Sequence, residues 1–144
     1  MDECFEVIAR VLVKKDEKVL LCKSITRDYY FFPGGHVELG EISQEAAIRE
    51  MKEERGSVLK NLKFIGLIEN IYPEKGKTKY EINIVFEGEE ENSDVENVTK
   101  EDHILFDFLS LEELKNTDIR PVPLKEAIIK YLEEKNIFWE KIKE

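Results

Sequence analysis

Glu50, Glu53 and Glu54 stand close together in the chain. In a helix that spacing stacks three carboxylates along one edge. Like charges so placed cost a few tenths of a kcal/mol per pair even in water, and more where solvent is displaced. Oxygen donors of this kind suit Mg²⁺ or Mn²⁺, which take one or two carboxylates, keep several waters and accept phosphate oxygens. The ridge therefore points to a divalent cation holding a phosphorylated ligand. Lys52 and Arg55 fall elsewhere on the helical wheel and do not neutralise it. Glu41, just before the helix, reaches the same region, and Arg49 is placed to orient a carboxylate through a two-pronged hydrogen bond.

The elements that must position this ridge are legible in outline. Ser43 reads as a helix N-cap with Glu45 in the first turn. Ala46, Ala47, Ile48 and Met51 continue the helix, and Gly56 stops it, with Arg55 near its negative end. Upstream, Phe5–Val13 and Lys18–Cys22 predict a hairpin about a polar turn. Residues 24–30 form a loop, and Phe31 to Gly35 narrow into a turn in which Pro33 fixes φ and two glycines relax it. Downstream, Leu62–Tyr72 and Lys79–Glu87 are strands flanking turn residues Pro73 to Lys77. Residues 87–102 are acidic, lack aromatics and read as a solvated loop. Ile104–Leu109 is a strand, Ser110 caps a short helix to Leu114, and Leu124, Ile128, Tyr131 and Leu132 predict a helix over Pro123–Lys135. Strands, helix, strands, helix imply an α+β fold, a mixed sheet with helices packed on it.

The 144 residues fit one domain, 1–144, with a sizeable core. Hydrophobic residues at 42% and charged residues at 38% describe a globular chain. A net charge of −10 argues against a nucleic-acid backbone as partner. It leaves small anions open, since a bound metal reverses the local sign. No apolar run approaches the roughly 18–20 residues that span a bilayer. The acidic start is unlike a signal peptide, so no membrane is implied and the cytoplasm is the expected location. Cys4 and Cys22 lie on neighbouring predicted strands and read as reduced, buried thiols; without matching histidines they make no zinc site.

The stretch Gly35-x5-Glu41-x7-Arg49-Glu50-Met51-x-Glu53-Glu54-x-Gly56 resembles the signature of the Nudix hydrolases, and Pro33-Gly34 before it is also common there. Ser57 departs from the pattern, standing where an aliphatic residue is usual. The resemblance implies an α/β/α sandwich with a mixed sheet. It also implies metal-dependent hydrolysis of a nucleoside diphosphate linked to another group, with a (d)NTP as first expectation and an ADP-ribose-like nucleotide sugar as second. It assigns metal binding to Glu50, Glu53, Glu54 and the Gly34 carbonyl, and shaping of the ridge to Arg49 and Glu41. Water would attack one phosphorus, Glu50 or Glu101 would take its proton, and the other phosphate would leave. Glu96 is the second candidate beside Glu101.

Arg27, Tyr29 and Phe31 precede the glycine turn, and Arg120 precedes the last helix; these are the expected substrate-binding residues. Against that stands a plain reading in which Phe31 and Phe32 are core and Tyr29 is surface. Tyr72 and Tyr80 are ambiguous, His36 and His103 read as structural with a site role left open for His103, and Trp139 reads as core or dimer contact. The expected partner is a small nucleotide diphosphate, with self-association left open. A nucleotide sensor without turnover and a merely acidic interaction domain are the competing classes.

Overall fold

In the computed structural model, residues 5–91 and 103–144 are described. One mixed sheet organises them. Its strands are β1 (Phe5–Lys15), β2 (Lys18–Ser24), β3 (Tyr30–Phe31), β4 (Gly34–His36), β5 (Leu59–Glu74), β6 (Lys77–Glu90), β7 (Ile104–Ser110) and β8 (Phe138–Lys143). The helices are α1 (Ser43–Arg55), α2 (Leu111–Lys115) and α3 (Val122–Glu134). The sheet runs β3-β2-β1-β6-β5-β8, with β4 added to β1 and β7 to β2. β1 pairs with β6 in parallel, Phe5 opposite Tyr80 through Val13 opposite Gly88. β5 and β6 form a long antiparallel hairpin.

Alternation along the strands splits the core. Ala9, Val11 and Val13 face one side and pack with Ala46, Ala47 and Met51 of α1. Leu12, Ile68 and Val85 face the other side and pack with Leu114 of α2 and Leu124 and Ile128 of α3. Each fully buried aliphatic or Met side chain here contributes about 1.5–3 kcal/mol. The result is the α+β sandwich expected, a mixed sheet with helices on both faces.

Several local expectations need correction. The N-cap of α1 is Ile42 rather than Ser43, and no side chain caps the helix; instead Glu45 Oε1 accepts from the Ile42 N–H at 3.0 Å. Gly34 and Gly35 belong to a short strand against β1, not only to a turn. Residues 87–90 continue β6, because Glu89 and Glu90 pair with Lys60 and Leu59; periodicity there was hidden by charge. The tail forms β8, parallel to β5. Trp139 on it is 60% exposed, its Nε1 donating to Glu69 Oε2 at 2.7 Å, so it is not core. Cys22 is a buried free thiol whose pKa burial pushes well up; Cys4 lies outside the described residues. No helix among the described residues is long and apolar enough to cross a membrane.

Candidate active site

α1 turns Ala46, Ala47 and Met51 into the sheet, and the 3.6-residue period leaves Arg49, Glu50, Glu53 and Glu54 along another edge. The helix closes on Gly56 in the left-handed region (φ 72°), whose N–H donates to the Lys52 carbonyl. Arg49 organises the edge. Its Nε and Nη2 grip both oxygens of Glu41 at 2.7 and 3.1 Å. Its Nη1 donates to Glu50 Oε1 at 2.9 Å and to Glu53 Oε2 at 3.3 Å. Nη2 also donates to the His36 carbonyl at 3.0 Å. Glu41 in turn accepts from the Glu38 N–H. Its hydrogen bond with Arg49 draws the Glu41 carboxyl below its usual range, and the same bond raises the basicity of Arg49. A guanidinium thus lies on the ridge and offsets part of its negative charge.

The glycines before α1 have separate reasons. A Cβ on Gly34, whose φ is 145°, would lie 1.9 Å from the Ala9 carbonyl oxygen. That is a backbone collision which no side-chain rotation relieves. A Cβ on Gly35 would lie 2.4 Å from the Glu50 carboxyl carbon. The bare α-carbon therefore leaves space for that carboxylate.

The donor set, carboxylates plus the Gly34 carbonyl, fits a hard oxygen-seeking cation. Among the described residues no three acidic, His or Cys side chains have closed to metal-holding geometry.

A cleft of about 470 Å³ is lined by Arg10, Tyr29, Phe31, Asn70, Tyr72, Glu81 and the Arg120–Pro123 segment among others, and not by Arg49, Glu50, Glu53 or Glu54. Its floor is a polar ladder on one sheet face. Arg10 donates to Asn83 Oδ1 (3.3 Å) and to the Phe32 carbonyl (2.9 Å). Asn83 Nδ2 and Tyr72 Oη donate to the two oxygens of Glu81 (3.2 and 2.7 Å). Burial, and then Glu81, raises the Tyr72 pKa. Burial lowers the basicity of Arg10, opposed by Cys22, Glu81, Glu54 and Glu50. Arg10 thus feels the carboxylates of Glu81 in the cleft and of Glu54 and Glu50 on the ridge. At the rim the Arg120 guanidinium lies 4.5 Å from the Tyr29 ring centroid and pairs with Asp118.

Of the residues singled out from sequence, the structure gathers Arg49, Glu41, Glu50 and Glu53 through hydrogen bonds. It gathers Tyr29, Phe31 and Arg120 at the cleft. Arg27 is exposed and does not line the cleft; its Nη1 donates to Tyr29 Oη at 2.6 Å. Phe32 is fully buried core, whereas Phe31 is partly buried, packed against the core and lining the cleft. Tyr72 enters the cleft whereas Tyr80 packs on Phe5. Glu96 and Glu101 lie outside the described residues. Sequence reasoning missed Arg10, Asn70 and Asn83. The signal available was a polar residue inside an otherwise apolar strand, as Arg10 is between Ala9 and Val11. It also missed the role of Arg55, which is buried and bound to Glu90 at 2.6 and 3.1 Å rather than serving only the helix dipole.

A NUDIX domain profile matches residues 5–130. A protein of Methanocaldococcus jannaschii named ADP-ribose pyrophosphatase is 36% identical over 78 residues, covering 52% of this chain and 45% of that protein. A Bacillus subtilis protein provisionally named 8-oxo-dGTP diphosphatase YtkD is 42% identical over 72 residues, covering 50% of this chain and 40% of that protein. The chain thus spans less than half the length of these relatives. The fold matches the crystal structure of the MutT protein from Bacillus halodurans with a TM-score of 0.77 at 19% identity, covering 96% of this chain and 90% of the other. With the profile spanning most of its length, this chain belongs to the NUDIX domain family.

Proposed function

We propose that the protein is a divalent-metal-dependent pyrophosphohydrolase, that residues 1–144 act as one domain, and that the substrate is a nucleoside diphosphate derivative. A (d)NTP is the first expectation. The observation that carries this reading is the Arg49 clamp, which holds Glu41, Glu50 and Glu53 together beside the gap left by Gly35. Glu50, Glu53, Glu54 and the Gly34 carbonyl would hold Mg²⁺ or Mn²⁺. Bound there, the cation supplies charge neutralisation on the diphosphate oxygens and a more acidic water. Arg49 keeps Glu50 oriented, so that its carboxylate is available to take a proton from the attacking water. Arg10 offers positive charge on the cleft wall, suited to a phosphate oxygen. The Tyr29–Arg120 stack at the rim offers a flat surface to the organic half.

A nucleotide sugar is the second reading, supported by the archaeal relative named ADP-ribose pyrophosphatase. A panel of (d)NTPs and ADP-ribose in Mg²⁺ or Mn²⁺, with phosphate, pyrophosphate and sugar phosphate each followed, separates the two. Glu53→Gln and Glu54→Gln should each cut turnover by orders of magnitude with the fold intact. Nucleotide binding without release of any product would instead mark a sensor.

A further inference from the structure

Asn70 lines the cleft, and the reading above gives it no part. It sits on β5 opposite Glu81 of β6, and side chains paired in this way rise from the same face of the sheet. It is only 5% exposed and lines the cleft. Its Oδ1 is buried with no hydrogen-bond partner among the described residues. The polar side chains of this sheet face bond to other groups: Tyr72 Oη and Asn83 Nδ2 to Glu81, and Arg10 to Asn83 Oδ1 and the Phe32 carbonyl. A buried acceptor left in this state is unfavourable and is retained where a partner arrives.

The surroundings specify that partner. Glu74, Glu81 and Glu144 also line the cleft, so an anionic group is repelled at this end and the phosphates belong toward Arg10. Tyr29, Phe31 and Tyr72 add flat apolar walls, and the volume of about 470 Å³ lies within the range of small-ligand sites. A neutral, planar group that brings an N–H donor fits. We propose that Asn70 hydrogen-bonds the edge of the substrate's nucleobase, its amide matching a base edge that shows a donor beside an acceptor. This rests on the reading of the chain as a nucleotide enzyme and adds which residue distinguishes the base.

The test uses calorimetric titration of the full chain with AMP, GMP, CMP, UMP and ribose 5-phosphate, comparing wild type with Asn70→Leu. Wild type should bind at least one nucleotide more tightly than ribose 5-phosphate. Asn70→Leu should lower that preference about tenfold or more, while its melting temperature holds or rises because a buried polar atom has been removed. Asn70→Ser serves as the second variant should the leucine fail to fold. A preference over ribose 5-phosphate that is absent in wild type, or unchanged in the variant, overturns the assignment. A stability gain with unchanged preference means that the amide held only water, and overturns it equally. Turnover is measured in parallel. An Asn70-dependent base preference without hydrolysis would sink the enzyme reading alone, and hydrolysis without that preference would sink this one alone.

Discussion

Removing one partner of the Arg55–Glu90 pair should unfold the protein far more readily than removing both. The side chains are 0% and 5% exposed, and Arg55 Nε and Nη2 reach the two Glu90 oxygens at 2.6 and 3.1 Å. The guanidinium also lies 5.1 and 5.5 Å from the ring centroids of Phe106 and Phe108. Glu90→Ala takes these two hydrogen bonds from a guanidinium buried beside aromatic rings. Hydrogen bonds to charged groups are worth about 1.5–3 kcal/mol each, and breaking a buried pair costs about 3–5 kcal/mol. The two estimates agree on roughly 4 kcal/mol. For a chain of this size that lowers the melting temperature by roughly 10–20 °C. Arg55→Met with Glu90→Leu keeps the volume without the charges and should stay within about 2 kcal/mol of wild type. Urea unfolding followed by circular dichroism reads both. A loss under about 1 kcal/mol for Glu90→Ala, the range of an exposed pair, would refute the argument that this pair is desolvated and ties α1 to the end of β6.

Gly34→Ala and Gly35→Ala should fail differently. The first collides with the Ala9 backbone and should lower thermal stability. The second displaces the Glu50 carboxylate and should lower kcat about a hundredfold with a near-native melting curve. Because the Glu41 carboxyl is held below its ordinary range by Arg49, its stabilising contribution is present above that range and is lost as pH falls through the lowered value. Melting curves of wild type and Glu41→Gln should therefore differ at neutral pH and converge on acidification below about pH 4. Arg120→Ala removes the stack on Tyr29 and should raise KM about two- to fivefold with little change in kcat, as expected for an exposed cation–π contact; steady-state kinetics on the preferred nucleotide decides it.

Spacing made the carboxylate edge and its helix legible because a helix maps sequence offset directly onto space. Glu41 and Arg49 were likewise within reach, being joined over a short stretch of chain. The partners of Arg10, Asn83 and Arg55 were not. Arg10 and Asn83 lie 73 residues apart and meet only through the parallel register of β1 and β6. Arg55 and Glu90 lie 35 residues apart, and Glu90 sits in an acidic run that composition alone marks as solvated. β8 escaped for a related reason. Its alternating charged residues belong to an edge strand with one face in solvent, where β-propensity carries little signal.

The parallel pairing of β1 with β6 also bears on how the chain acquires its structure. The β5–β6 hairpin closes about Lys75 and Gly76 and can zip from its own turn, a microsecond event. β1 must then find β6 across the entire intervening segment, meeting a loop-closure entropy before any contact rewards it. The core beneath α1 includes Phe86 of β6 and Leu59 of β5 beside residues of β1 and β2, so it is complete only after that docking. Refolding should thus be limited by a long-range search, with the glutamate-bearing helix gaining hydrogen-exchange protection in that same late phase rather than before it.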